Sequence, residues 1–180
     1  MTGDATAEWV RWWCCTWHWA HPDWQTQFAS GPGEDMHRYD AVARSQHNRF
    51  LLSVGISPGQ PPPPNNDVLQ WLALTEQQQQ EALALIQMIC FSRTPSPSVD
   101  AVSHEQWCRR VAKALRPGVW LSPTVVDVRE LLGAWLGDAY WSRLRLAWPP
   151  GVVDETPSHA PVNKLNTLWQ AVLWRVTNLE

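Results

Sequence analysis

The chain has 180 residues, of which 44% are hydrophobic and 17% charged, and its formal net charge is −3. A chain of this length hides roughly 70% of its unfolded surface when it folds, so it can build a core, and this composition argues against wholesale disorder. With no excess of cations to neutralise phosphates, nucleic acid is not the expected main partner, and no stretch approaches the ~20 apolar residues that cross a bilayer.

Fourteen tryptophans make flat apolar surface the dominant building material, suited to a core or to an interface centre. Cys14, Cys15, Cys90 and Cys108 form no legible disulfide framework. The N-terminus lacks a basic start and an uninterrupted apolar run, since Asp4 and Glu8 come early and Arg11 interrupts the aromatics. The expected location is therefore the cytoplasm.

From Ala5 to Ala20, the four-residue spacing of Trp9, Trp13 and Trp17 predicts a helix with most indoles on one broad face, and Pro22 ends it or opens the next turn. Ser30-Gly31-Pro32-Gly33 is a loop by its turn chemistry. Asp35 then caps a helix with Met36, Tyr39, Val42, Gln46 and Phe50 on one side. Pro61 to Pro64 favour a stiff polyproline II spacer. They divide an aromatic-rich helical N-terminal region, residues 1–60, from a helical core, residues 67–180, with 61–66 as the connector.

Asn66 or Asp67 is expected to cap a short helix carrying Val68, Leu69, Trp71 and Leu72. Thr75 and Gln78 read as a capping box before a helix with Ala82, Leu85, Ile86 and Ile89 on its apolar stripe. Ser92 to Val99 reads as a loop. Ser103 to Gln106 read as a second box, opening a helix with Trp107, Val111 and Leu115 on one stripe, stopped by Pro117-Gly118. Ser122, with Pro123 at the first helical position, is expected to cap the next helix, which buries Val125, Val128, Leu132, Trp135 and Leu136, and Gly137 permits a break or a close approach. Asp138 to Trp148 continue helically until Pro149-Pro150-Gly151. The last helix starts near Pro161 and buries Leu165, Leu168, Trp169, Val172 and Val176. These segments predict an all-α fold, a compact bundle of about five to seven helices with proline-rich connectors, centred on Trp107, Val111, Leu115, Leu132, Trp135 and Trp141.

No constellation for catalysis emerges. Gly31-Pro32-Gly33 lacks the strand before it and the lysine after it that a phosphate loop needs, and no nucleophile elbow or zinc-protease motif occurs. Glu34 and Asp35 read as helix-start charges. On a helix, Cys14, His18 and His21 would share one side and suit zinc, but the spacing is neither finger nor ribbon and offers no fourth ligand. Buried cysteines and an interfacial histidine are the plainer reading, so no catalytic residue, metal or cofactor is expected. Arg109, Arg110, Lys113 and Arg116 form a basic cluster, read first as a solvated face near a helix C-terminus rather than a nucleic-acid or lipid site.

Two blocks carry a resemblance. Trp107 to Leu121, ending Arg116-Pro117-Gly118-Val119-Trp120-Leu121, resembles the helix followed by R-P-G-x-W-L of the SctK family (YscK, PscK, HrpD and relatives) of bacterial type III secretion systems. Leu131 to Leu146 is similar to the family's leucine pair, A-W-x-G and W-x-R-L-R-L block, in the same order and at a similar gap. His21-Pro22 and Leu52 to Ile56 resemble shorter family segments, while the tryptophan load of the N-terminus departs from the family pattern. The resemblance implies a non-enzymatic adaptor of the cytosolic sorting platform, joining the inner-membrane ring protein SctD to the platform protein SctQ. Such an adaptor is peripheral at the cytosolic face of the inner membrane through its partners, without inserting itself. A secretion chaperone or regulatory subunit is the alternative.

Arg129, Arg143 and Arg145 are expected to face solvent, because lone guanidinium groups are expensive to bury. Arginine beside tryptophan is typical of interface hot spots, so Arg143, Arg145 and Trp148 are the expected partner-binding residues, facing an acidic surface of SctQ or SctD. The alternative for the arginines is pairing with local acids such as Asp127, Glu130 and Asp138.

Overall fold

A computed structural model describes residues 2–29, 45–91, 101–125, 127–155 and 160–178, with side chains from residue 6 in the first segment, to residue 28, and from residue 104 in the third. In chain order the helices are α1 Thr2–Cys14, α2 Thr16–Trp19, α3 Pro22–Ala29, α4 His47–Ser53, α5 Asn66–Leu72 and α6 Glu76–Phe91. They continue with α7 Ala101–Leu115, α8 Pro117–Trp120, α9 Val128–Leu136, α10 Asp138–Leu144, a 3₁₀ turn Arg145–Ala147, and α11 Val162–Thr177. The fold is all-α, with no strand among the described residues and with more, shorter helices than the five to seven expected. Splitting at Cys15 and Gly137 and the brief helices α2 and α8 account for the excess.

The chain forms two compact units, one from Met1–Leu69 and Asp138–Thr156, the other from Gln70–Gly137 and Pro157–Glu180. The chain therefore passes from the first unit to the second after Leu69 and returns after Gly137. That return places Asp138 to Trp148 with the N-terminal unit.

In the first unit, Trp17, Ala20, Phe50, Leu51, Val54, Ile56 and Leu146 make the core, with Trp24 and Phe28 packed against it. The indoles of α1 fall on one face as the four-residue spacing predicts, and Trp9, Trp12 and Trp13 are all buried. Trp9 and Trp13 meet Tyr140 edge-on at 5.7 and 6.4 Å. Their ring N–H groups still need acceptors, which the proline-rich stretch supplies: Trp9 Nε1 donates to Pro62 O at 2.8 Å and Trp13 Nε1 to Gly59 O at 3.0 Å. The proline run is thus fastened to α1. Pro22 opens α3. Gly55, with φ +76°, is left-handed just beyond α4, and the chain turns back so that Ile56 N donates to Leu51 O. The expected Ser30–Gly33 loop and the Asp35 cap, with Met36, Tyr39 and Val42, lie outside the described residues; Phe50 of that stripe is buried.

In the second unit, α11 packs on α6, α7 and α9, and α6 packs on α7, α8 and α9. The expected α11 stripe of Leu165, Leu168, Trp169, Val172 and Val176 is buried, joined by Leu173. Trp169 is the hub: it stacks on Trp135 at 5.5 Å, meets Trp71 edge-on at 5.8 Å, and donates to Leu131 O. The capping box before α6 forms in both directions, with Thr75 N donating to Gln78 Oε1 and Gln78 N to Thr75 Oγ1. Gly137, φ +90°, stops α9 in a conformation that a side chain would resist.

Four local expectations are corrected. Asn65, rather than Asn66 or Asp67, caps α5: its Oδ1 accepts from Asp67 N and Val68 N. Ser103 lies inside α7, which begins at Ala101. Ser122 closes a turn with Thr124, and α9 begins only at Val128, where the Asp127 carboxylate accepts from Arg129 N at 2.8 Å. The Trp107, Val111 and Leu115 stripe is only half-buried, and Cys108 is the residue of α7 that goes fully inside, near Leu85 O. The register of α7 follows its packing on α6, where His104 also approaches Glu81. Of the expected core, Leu132 and Trp135 are buried in the second unit and Trp141 in the first.

Candidate functional site

Arg143 and Arg145 do not face solvent. They retain 5% and 4% of their accessible surface, because the Arg143-Leu144-Arg145-Leu146 segment is enclosed by the tryptophans of the first unit. The Arg143 guanidinium lies over the Trp13 ring, 3.6 Å from its centroid. Its Nε and Nη2 have no hydrogen-bond partner among the described residues, so the indole face is the main compensation for lost hydration. Burial pushes this group down to about 10, against the opposing influence of Cys14, and it remains a cation at neutral pH. Arg145 is better satisfied. Its Nη2 donates to Val54 O at 2.5 Å and to Glu155 Oε1 at 3.4 Å, and its guanidinium lies 5.3 Å from the Trp24 ring. Burial lowers its pKa and Glu155 raises it. Trp148 is half-buried; its carbonyl accepts from Trp24 Nε1 at 2.8 Å and its ring lies 5.9 Å from Trp141. The expectation that the arginines present an acidic-partner surface is therefore corrected to an internal role. Pairing with nearby acids, the alternative, is seen at Arg129, which pairs with Asp127, and at Arg145, which meets Glu155.

His47 sits beside this segment. Its ring meets Trp17 edge-on at 4.9 Å, its Nδ1 is buried without a partner, and burial together with the Arg143 charge lowers its pKa. Nothing in the local sequence singles out His47; its setting comes from packing against α2.

The Cys14, His18 and His21 set is dispersed in character. Cys14 is half-buried at the end of α1, His18 is exposed on α2, and His21 Nδ1 accepts from Asp23 N at 3.2 Å. Among the described residues no group of three His, Cys, Asp or Glu side chains forms a cradle for a metal ion. None of the four cysteines forms a disulfide, and burial pushes Cys90 up to about 12 and Cys108 up to about 11, which leaves both as thiols at neutral pH.

The second unit has open surfaces of its own. An open groove of about 470 Å³ runs between Gln70, Leu74 and Gln78 on one side and Gln170, Leu173 and Trp174 on the other, with Trp174 64% exposed. Elsewhere, α7 runs into α8 through Arg116, which takes the left-handed conformation (φ 53°, ψ 60°). That conformation costs a side-chain-bearing residue on the order of 1 kcal/mol. Arg116 N donates to Ala112 O, closing α7, and Trp120 Nε1 folds back to Leu115 O at 2.9 Å. Arg109, Arg110, Lys113 and Arg116 are all exposed, as the solvated-face reading expects, and among the described residues only Arg109 has an acidic partner, Glu105 at 2.5 Å. No described helix is long and apolar enough to cross a membrane. No family model, curated protein or solved structure matches the chain.

Proposed function

We propose that this chain is a non-enzymatic adaptor of a type III secretion sorting platform, joining the SctD ring protein to the SctQ platform protein at the cytosolic face of the inner membrane. The observation that carries the reading is the pair of residue blocks, Trp107 to Leu121 and Leu131 to Leu146, in family order. The second block supplies buried residues almost throughout: Leu131, Leu132, Trp135, Leu136, Trp141, Leu144 and Leu146. It is therefore a signature of the fold, and the adaptor's contacts belong to exposed residues elsewhere. Exposed Trp19, Val119 and Trp174 suit a protein whose work is binding. The alternative of a secretion chaperone, a class in which strands are usual, is disfavoured by the all-α architecture among the described residues.

Tagged protein purified from its native host should bring down both SctD and SctQ. Recovery of neither, from a folded and expressed bait, would remove this reading and leave a helical binding module of another kind.

A further inference from the structure

We infer that the C-terminal half of α7 and the helix α8 form a docking surface for an acidic segment of a partner protein, with Val119 as its apolar anchor. The inference rests on the protein-binding reading for the kind of partner and not on the identity of SctD or SctQ.

Four features of this surface bring no return among the described residues. Arg110, Lys113 and Arg116 are exposed and have no acidic partner among the described residues. Arg116 also occupies the left-handed position after a helix where glycine or asparagine is usual, yet its side chain makes no cap hydrogen bond and no ion pair among the described residues. Gly118 lies within a helix without a positive φ, and a Cβ built on it would meet nothing within 4 Å, so neither conformation nor internal packing demands glycine there. A bare backbone at that point instead allows another chain to approach closely. Beside it, Val119 is 81% exposed, the most exposed of the large apolar side chains among the described residues.

Charge decides the occupant. The chain as a whole is net −3, so attraction for an anionic partner must come from a local cluster, and this is one in which three cations have no acidic partner among the described residues. An apolar residue set among them favours a protein segment with carboxylates around an aliphatic side chain over a plain polyanion. The helix dipole accounts for cations in the last turn of α7, but not for a strained arginine beyond it or for an exposed valine.

The test uses the full chain and a labelled helical peptide of glutamate, leucine and alanine, read by fluorescence anisotropy. Binding should weaken as salt rises, and a peptide with glutamine for glutamate should bind at least tenfold more weakly. The triple variant Arg110→Gln, Lys113→Gln, Arg116→Gln and the single variant Val119→Asp should each lose at least tenfold. Arg116→Gly should raise the thermal midpoint while weakening binding, which separates a recognition role from a folding one. Equal binding by the triple variant and by Arg116→Gly would overturn the surface, as would absence of binding by the folded wild type. A preference for phosphatidylserine vesicles or duplex DNA over the peptide would overturn the choice of a protein partner. None of these results bears on whether SctD and SctQ co-purify, so the two readings fail separately.

Discussion

The two arginines of the Arg143-Leu144-Arg145-Leu146 segment show how one residue type in one segment divides into different roles. Arg145 satisfies a carbonyl, Val54 O, that would otherwise be buried at a helix end, whereas Arg143 offers buried nitrogens that bond to nothing. Replacing a buried, poorly paired ion by an apolar side chain of similar volume is often neutral. Arg143→Met should therefore change the urea midpoint by less than about 1 kcal/mol equivalent, while Arg143→Glu should cost about 3–5 kcal/mol by placing an unpaired carboxylate against the Trp13 face. Equal melts for the two variants would show that the segment opens to water. His47 adds a pH dependence whose sign is fixed by its lowered pKa. Between its folded pKa and the ordinary value of about 6.5, the unfolded chain binds more protons than the native one. The stability His47 contributes is complete above about pH 6.5 and is lost as pH falls through its folded pKa. Chemical melts between about pH 7 and pH 5 should show a steeper loss for the wild type than for His47→Gln; parallel slopes would sink the assignment.

At the level of elements, stop signals are local and packing is not. Gly137 ends α9 at φ +90° and ψ 158°, a region reserved almost wholly for glycine, and a Cβ there would meet no neighbour within 4 Å. Gly137→Ala should therefore cost about 1–3 kcal/mol from backbone strain alone, measured by denaturant melts, and a neutral result would mean that the break relaxes. Trp135 of the same helix stacks on Trp169 and donates to Asn166 Oδ1, so Trp135→Ala should cost about 3–5 kcal/mol. Trp107→Ala should cost less, since that indole is half-buried and its neighbour Cys108 takes the interior position. A larger loss from Trp107 than from Trp135 would restore the stripe expected from spacing. The caps were readable where one side chain serves one turn, as at Thr75 and Gln78. They were misread at Ser122, where a competing turn with Thr124 and a better acceptor at Asp127 delay the helix.

For the whole molecule, the low charge sets the solution behaviour. The pI is near 6.0 and only 17% of residues are charged, while Trp19, Val119 and Trp174 are exposed. Net charge near zero removes the repulsion that keeps apolar patches apart. Light scattering at fixed concentration should peak near the pI and fall on the alkaline side, and scattering independent of pH there would show that the exposed indoles do not associate.

The amino-acid sequence by itself determined the helical class, the stripes of α6 and α11, the indole face of α1 and the break at Gly137. Those features depend on a 3.6-residue period, on capping groups within a few positions and on one glycine. Tertiary structure alone decided the fate of the arginines and the division into units. Arg145 reaches a carbonyl 91 residues earlier in the chain, and Arg143 rests on the indole of Trp13. Burying a guanidinium is costly until such distant partners are assembled around it, and no local spacing encodes that assembly. The same reason explains the basic face of α7 in reverse: among the described residues no acidic partner meets Arg110, Lys113 or Arg116, and they stay in water.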